Sequence, residues 1–503
     1  FDEVATDDAV INLPSSNLRA IATGEWRADN NPLGEWENRY QTIYYLNLFL
    51  EIVDSVDWAP LNGEPQRTLH RNRLIGEAHG LRAWHMFQLL RLHSGVAADG
   101  RLLGFPIILE PLEADDNLEL PRNTYEECVN QIVADLEIAI SNLTDRYEDY
   151  DDGDSTVTLG NQWGNRMNRL AAKALKARVL LHAASPSFNL NGEASKWEAA
   201  AQAAGELLAE NGGLSALSIT GLEWYEDPFD PDVIWRRNIS QTNSWELNNF
   251  PPSKAGLGRT NPTQNLVDAF PMANGLPIDA AASGYDPSNP YLNRDARLDN
   301  YIVYNGSILG GTPINTFQGA GDDGLNQLTN FSTRTSYYLR KFMDESVSLI
   351  PNSQVQTQHY YTFFRFTEVF LIYAEAANEA YGPDADPNGY GFTAREVVEA
   401  IRQRAGIISD EYLGTVNGRD AFRELARNER RLELCFEGFR FWDLRRWGVD
   451  LTQPARGVVI SDGFPATFSY TTVEERSYQP YMIYGPIPFN ETLKYDLLQN
   501  QGW

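Results

Sequence analysis

The largest concentration of residues able to do acid–base or ionic chemistry lies at 428–448, where the sequence reads NERRLELCFEGFRFWDLRRWG. Carboxylates and guanidinium groups alternate there with aromatic rings. Most of the charged side chains are arginines, which hold their protons near neutral pH and therefore cannot exchange them in catalysis. Arginine–carboxylate pairs among apolar rings fix geometry more than they add net stability. We therefore interpret the stretch as a structural frame, formed by Glu429, Arg430, Glu433, Glu437, Arg440, Trp442 and Asp443.

This frame is predicted to be helical. Its three glutamates are four residues apart, which places them on one helix face. Arg430 and Arg440 are positioned to pair with these carboxylates or with neighbouring segments. Gly438 permits a sharp helix end, and a shorter helix is predicted after it, with Trp442 and Trp447 facing inwards.

The remaining sequence shows no spacing typical of a metal, phosphate or serine-hydrolase site. His79 and His85 are six residues apart, so they do not share a helix face, and the histidines are interpreted as structural. No cofactor is predicted. The acidic run at 148–154 is interpreted as a solvated loop, although a structural calcium ion there stays open. The 69 acidic residues also leave open a pair of glycosidase carboxylates.

Charge narrows the classes of partner. The net charge of −28 repels phosphate backbones and anionic membranes, so nucleic acid is not expected as a partner. The same charge favours neutral over acidic glycans as ligands. Apolar runs fall short of the roughly 18 residues of a membrane span. Cys128 and Cys435 are predicted to be buried free thiols.

Helical periodicity covers much of the chain. Asn123 is predicted to cap one helix, with Glu126 three residues on, and Gly382 with Pro383 is predicted to end another. A short helix at 264–270 and strands at 301–304, 456–463 and 467–472 interrupt irregular tracts. The longer helices are predicted at 36–56, 73–92, 124–143, 166–184, 196–210, 360–380, 393–405 and 419–436.

Three of these helices are rich in small residues, which lets a neighbouring helix approach closely, and each is followed by an amphipathic helix. This pattern predicts a mainly α fold with tetratricopeptide-like helix pairs in a superhelical scaffold, covered by a loop-rich lobe with a few short strands. The predicted divisions are a helical region at 1–210, a loop-rich, ligand-facing insertion at 211–358, and a helical closing region at 359–503.

The charged stretch, taken with other motifs in order, resembles the hallmark of the SusD/RagB family. The other motifs are WENRYQTIYYLNLFLE, LIGEAHGLRAWHMFQLLRLHSGV, LPRNTYEECVNQIVADLEIAISNL, FRFTEVFLIYAEAANEAYG and the closing YGPIPFNETLKYDLLQNQGW. The resemblance covers nearly the whole chain. It implies a non-enzymatic glycan binder, a surface-exposed lipoprotein of the outer membrane of a Gram-negative bacterium.

The resemblance also implies a partner: the family acts as a lid on a SusC-like, TonB-dependent β-barrel that imports oligosaccharides. Contact with the membrane would come only through an N-terminal lipid anchor. The lipid-bearing cysteine is absent from this sequence, because Phe1 starts inside the mature region that the family shares.

The family's ligand contacts vary between members, so candidate sugar contacts are chosen on physical grounds. Sugars stack their C–H faces on aromatic rings and need polar partners for their hydroxyl groups. Rings in loops lack a helical core to fill and are the best candidates. The selected ligand-binding candidates are Trp26, Asp29, Asn31, Trp58, Trp245, Asn248, Tyr285 and Phe317. Two alternatives stay open: a glycoside hydrolase on a helical scaffold, and a peptide-capturing member of the same importer class.

Overall fold

The structure is a computed structural model that describes residues 2–58, 63–113, 115–217, 221–463 and 465–503. Helices dominate the described chain. Its α-helices are α1 (Asn17–Ala22), α2 (Trp36–Ile52), α3 (Gln66–His93), α4 (Tyr125–Asn142), α5 (Gly153–Leu159), α6 (Arg169–Ala184), α7 (Ala194–Glu210), α8 (Ser244–Asn249), α9 (Gln264–Ala269), α10 (Ala296–Tyr301), α11 (Phe366–Tyr381), α12 (Ala394–Arg404), α13 (Gly418–Glu433), α14 (Arg440–Trp447) and α15 (Phe489–Thr492).

The strands are short and pair two by two in antiparallel ladders. The pairs are β1 (Ala9–Ile11) with β6 (Thr260–Pro262), β2 (Gly95–Val96) with β3 (Leu102–Leu103), β4 (Val233–Arg236) with β12 (Thr362–Arg365), β5 (Ser240–Thr242) with β11 (Thr357–His359), β7 (Ile302–Val303) with β10 (Tyr338–Leu339), β8 (Ile308–Leu309) with β9 (Thr312–Pro313), and β13 (Ala455–Ile460) with β14 (Phe468–Glu474).

The predicted helix pairs are confirmed. Helix α3 packs on α4, α6 on α7, and α11 on α12, while α4–α6 and α7–α11 contacts join the pairs into one stack. Small residues permit the close approach of α3: a Cβ atom at Gly80 would lie 2.3 Å from Met167 Sδ, and one at Gly76 would lie 2.7 Å from Leu143 Cγ. The mainly α fold class therefore follows from the sequence pattern.

Several predicted helix starts are wrong in detail, and α3 begins at Gln66, seven residues before the predicted start. Helix α4 is capped by Thr124 and Glu127 in a capping box, one residue later than predicted, because Asn123 accepts the Ile107 N–H at 3.0 Å instead. Helix α11 begins at Phe366, not near residue 360, because the preceding residues pair with β4 as strand β12. The predicted end of α11 at Gly382 is confirmed.

The loop-rich tract is not structureless. Apolar side chains of this tract, such as Phe250, Phe270 and Tyr338, form a second core together with Cys435 and Val458 from the C-terminal region. The predicted boundaries at 210 and 358 stay predictions. Both cysteines are buried and free, as predicted. Within the described ranges, no helix combines the length and apolar character needed to cross a bilayer.

Candidate functional site

The predicted frame is a network of buried ion pairs around α13. Glu433 accepts from Arg404 Nη2 at 2.6 Å, from Arg297 Nη1 at 3.1 Å and from Arg365 Nη1 at 3.2 Å. Burial alone would raise the pKa of Glu433, but the cations Arg404 and Arg365 outweigh it and lower that pKa far below its ordinary value. Further pairs of the network are Glu429–Arg297 at 2.6 Å, Glu429–Arg402 at 3.2 Å, Arg430–Asp443 at 2.8 Å and Arg440–Asp7 at 2.8 Å.

The prediction for Glu437 is wrong in one respect. Helix α13 ends at Glu433, so Glu437 does not continue its face but lies in the turn that follows. Phe436 and Gly438 adopt left-handed conformations in this turn, with φ of 62° and 81°. Glu437 is nevertheless tied to the network, because Arg365 and Lys341 both donate to it at 2.8 Å.

This turn forms one wall of a groove that we call the aromatic groove. The groove consists of two adjoining cavities of about 280 Å³ and about 310 Å³, which share Tyr361 and Glu437 in their walls. In its first half, the ring of Phe436 from this turn meets six rings from distant parts of the chain. They are Trp224, Tyr225, Trp245, Phe342, Tyr360 and Tyr361.

Three local elements place five of these rings. Trp224 and Tyr225 belong to a 3-10 helix, Gly221–Glu226, whereas Tyr360 and Tyr361 lie between β11 and β12. Trp245 on α8 stacks on His359, with ring centroids 4.6 Å apart and planes at 10°. Because Tyr361 is 47% exposed, it offers ring surface to a ligand in either half of the groove.

The second half of the groove contains arginines. Arg91 makes no ion pair within 4 Å among the residues that the structure describes; it donates to Gln88 Oε1 at 2.6 Å and lies 4.1 Å from the centroid of the Trp442 ring. Burial, reinforced by Arg178, lowers the pKa of Arg91 to about 10. An uncompensated guanidinium in a groove is a hydrogen-bond donor available to a polar ligand.

Several polar atoms of groove residues are buried without a hydrogen-bond partner within the described part of the chain. They are Trp224 Nε1, Thr362 Oγ1, Arg39 Nε, Gln88 Nε2, Arg91 Nε and Trp442 Nε1. Buried polar atoms in native proteins are normally satisfied by protein, water or ligand.

Of the predicted sugar contacts, only Trp245 lines this groove. Trp26 is only 3% exposed: its ring lies 4.9 Å from that of Trp503, and its Nε1 donates to Asn31 Oδ1 at 2.9 Å. The choice of Trp26 as an exposed platform is therefore wrong, because its polar neighbour satisfies the indole inside the fold. Asp29 is exposed and pairs with Arg27 at 2.9 Å.

The other candidates lie apart from the groove. Trp58 is partly exposed in a separate cavity with Arg67 and Arg71. Tyr285 and Phe317 are partly buried in the loop-rich lobe, where Tyr285 lies under Arg294 and Phe317 packs against the second core. Asn248 is exposed on α8 and donates to Ser244 O at 2.7 Å. The candidates chosen from the sequence miss most of the groove, although four of its rings come from two short aromatic runs, EWYEDPF and HYYTFF.

Carboxylates of the acidic run at 148–154 accept hydrogen bonds from backbone N–H groups nearby in the chain. Asp152 caps α5 by accepting the Ser155 N–H at 2.7 Å, and Asp149 accepts the Asn161 N–H at 3.0 Å. In the described ranges, no group of three or more histidine, cysteine or acidic side chains is arranged to hold a metal ion. A structural calcium ion stays a prediction.

Comparison with known proteins covers nearly the whole chain. A model described as the SusD family matches residues 231–503, and one described as starch-binding associating with outer membrane matches residues 2–181. SusD-like protein P25 of Formosa agariphila is 22% identical over 91% of this chain and 76% of its own length.

Solved structures share the fold. A SusD-like carbohydrate-binding protein of Bacteroides fragilis superposes with a TM-score of 0.74 at 23% identity, over 98% of this chain and 91% of that one. A laminarin-binding SusD-like protein superposes with a TM-score of 0.61 at 18% identity, over 100% of this chain and 93% of that one. The helix pairs and the ionic frame lie where the resemblance placed them. Because a family model matches more than half of its residues, the chain belongs to the SusD family of carbohydrate-binding, outer-membrane-associated proteins.

Proposed function

We propose that this protein captures an oligosaccharide or polysaccharide in the aromatic groove at the bacterial surface. The observation that carries this proposal is the position of Tyr361, a half-exposed ring shared by a cavity lined with aromatic rings and a cavity lined with arginines. Rings supply flat apolar faces for the C–H surface of a sugar, and polar side chains beside them, such as Arg91, supply partners for its hydroxyl groups. Two of the solved structures with this fold are described as carbohydrate-binding and laminarin-binding, which supports the same ligand class.

The charges of the groove favour a neutral glycan. Arg39 pairs with Glu35 within the groove, and Arg178 pairs with Glu368 beneath it. Glu437 is neutralised by the frame, which leaves Arg91 and Asp2 as opposite charges in the same cavity. This balance suits hydroxyl groups better than carboxylate or sulfate groups.

The groove gives little support to glycoside hydrolysis. A glycosidase needs a carboxylic acid that can donate a proton beside a second carboxylate. Both oxygens of Glu437 already accept N–H groups, Oε2 from Arg365 and Oε1 from Arg365 and Lys341, so neither oxygen is free to contact a glycosidic oxygen. Binding without hydrolysis is therefore the proposed activity.

Delivery of the glycan is part of the proposal. By its family, the chain would be held by an N-terminal lipid anchor and would pass its ligand to a SusC-like, TonB-dependent β-barrel. The name of the matching family model supports association with the outer membrane. Co-purification of the lipidated protein with the barrel, from cells grown on the bound glycan, tests this step; a lipidated protein recovered without any barrel would contradict it.

The ligand class is tested by titration calorimetry against maltooligosaccharides, laminarin oligosaccharides, uronate oligosaccharides and peptides. Binding of a neutral oligosaccharide, without release of reducing ends on long incubation, is expected. Release of reducing ends would favour the glycosidase, and binding of peptides alone would favour the peptide-capturing alternative.

A further inference from the structure

Beside the aromatic groove lies a larger and more polar cavity, of about 600 Å³, which we call the amide cavity. Its walls come from the loop between α5 and α6 and from the segment that leads into and out of β4. Side-chain amides dominate these walls. They are Asn161, Gln162, Asn165, Asn168 and Asn238.

The floor of the amide cavity is rigid. Asn168 is buried and caps α6, with Oδ1 accepting the Ala171 N–H at 2.8 Å and Nδ2 donating to Ile234 O at 3.2 Å. Trp235 Nε1 donates to Asn165 O at 2.9 Å. These bonds join the start of α6 to β4, so the cavity is built into the fold before any ligand arrives.

The walls keep unused hydrogen-bonding capacity. Asn165 and Asn238 make no side-chain hydrogen bond to any residue that the structure describes. Gln162 uses its Nε2 on Thr156 O and Val157 O, both at 3.2 Å, and its Oε1 is not engaged by the described residues. An amide offers a donor and an acceptor side by side, as does a pair of sugar hydroxyl groups.

The charged side chains of the amide cavity indicate whether its ligand is neutral or charged. Arg146 and Arg236 line the cavity without a carboxylate within 4 Å in the described ranges, and Glu148 and Asp230 line it as well. Two cations and two anions balance in one cavity. A lining of amides with balanced charge suits a neutral hydroxyl-rich ligand, whereas an anion would need donors alone and a metal ion acceptors alone.

One exposed ring lies at this cavity. Phe229 is 76% exposed and lines the cavity, so its ring offers apolar surface to a ligand there. The guanidinium carbon of Arg236 lies 5.2 Å from the centroid of the Phe229 ring and 5.7 Å from that of Tyr360, which lines the aromatic groove. Arg236 therefore lies close to one ring of each cavity.

We infer that the amide cavity is a second carbohydrate subsite, which holds a neutral sugar unit of the same chain whose other units occupy the aromatic groove. The inference rests on the proposed function. In it, Phe229 stacks on a sugar face, and Asn165 and Asn238 bind hydroxyl groups. Short oligosaccharides fill the groove alone, and longer ones gain affinity from the amide cavity.

The test measures affinity against chain length. Maltooligosaccharides and laminarin oligosaccharides, from disaccharide to heptasaccharide, are titrated into the wild-type protein, into Phe229→Ala and into the double variant Asn165→Ala/Asn238→Ala. Loss of one ring stack or of two hydrogen bonds should weaken binding of the longest ligand about tenfold. Affinity for the shortest binding ligand should not change. Ile408→Ala is the matched control, because the Ile408 side chain is apolar, 75% exposed and outside both the aromatic groove and the amide cavity. This variant should bind oligosaccharides of every length as the wild type does.

The outcomes separate the two proposals. Equal affinities of wild type and both amide-cavity variants at every length would overturn the second subsite and leave the aromatic groove intact. Equal weakening at all lengths would also overturn it, since the cavity would then be part of the primary site. No binding of any oligosaccharide by the wild type would overturn the proposed function together with this inference. Thermal unfolding should be unchanged in Phe229→Ala, because its side chain is mostly in solvent.

Discussion

Arg365 donates two hydrogen bonds to Glu437, Nε to Oε2 and Nη2 to Oε1, both 2.8 Å long. Arg365 is buried at the end of β12, and Glu437 lines both halves of the aromatic groove. The frame and the ligand groove therefore meet at this pair, as they also do at Trp442. A residue interpreted from sequence as purely structural also forms the wall of the candidate site.

Replacement of Arg365 by alanine should destabilise the fold by about 3–5 kcal/mol, because it leaves the carboxylates of Asp232, Glu433 and Glu437 short of a buried cation. Urea unfolding measures the loss. Arg456→Ala is the matched control, since its pair with Asp268 is partly exposed and should be worth less than about 1 kcal/mol. Similar losses of unfolding free energy in both variants would contradict a stabilising role specific to the buried network.

Replacement of Trp26 by alanine should cost about 3–5 kcal/mol of unfolding free energy, as expected for a buried aromatic side chain. Trp58→Ala should cost less, because Trp58 is partly exposed. At a temperature where both variants stay folded, glycan affinity should equal that of the wild type, because neither ring lines the aromatic groove. A selective loss of affinity in a fully folded Trp26→Ala protein would reinstate the sequence-based site.

The sequence predicted the helix pairs and the frame well because both depend on local spacing. The glutamates of α13 and the small residues of α3 recur at helical intervals, and their packing follows from that periodicity. The sequence predicted that these glutamates form ion pairs with arginines. It could not predict which arginines, because Arg297 and Arg365 are far away in the sequence.

The groove could not be predicted in the same way. Tyr225, Phe342 and Tyr361 are brought together only by tertiary packing, and no local pattern connects them. Polar neighbours also misled the choice of Trp26, because Asn31 serves that indole as an internal hydrogen-bond acceptor and not as a ligand contact. A ring in a loop thus needs its exposure measured before it can be assigned to a site.

Acid should weaken the fold partly through Glu375. The buried Arg446 guanidinium, which donates to both of its oxygens, overcomes the effect of burial and lowers the pKa of Glu375 from 4.5 to about 2. A folded pKa below the unfolded one gives stability that is complete above pH 4.5 and is lost as the pH falls towards 2. The contribution is of the order of 3 kcal/mol.

Glu375→Gln tests this contribution. The difference in unfolding free energy between wild type and variant, measured in urea at a series of pH values, should shrink steadily between pH 4.5 and 2. Other buried carboxylates titrate in both proteins and cancel from the difference. A difference that stays constant over this range would show that Glu375 is not held ionised by Arg446.

Replacement of Tyr361 by alanine should weaken glycan binding about tenfold or more while leaving stability nearly unchanged. Its ring is half exposed at the junction of the two halves of the groove, so its removal takes stacking surface from a ligand in either half. Tyr45→Ala is the matched control, because Tyr45 on α2 is 60% exposed outside the groove. Titration calorimetry gives the affinities, and thermal unfolding confirms that both variants are folded. If Tyr361→Ala and Tyr45→Ala bind the glycan equally well, the ligand does not lie against Tyr361, and the aromatic groove is not the capture site.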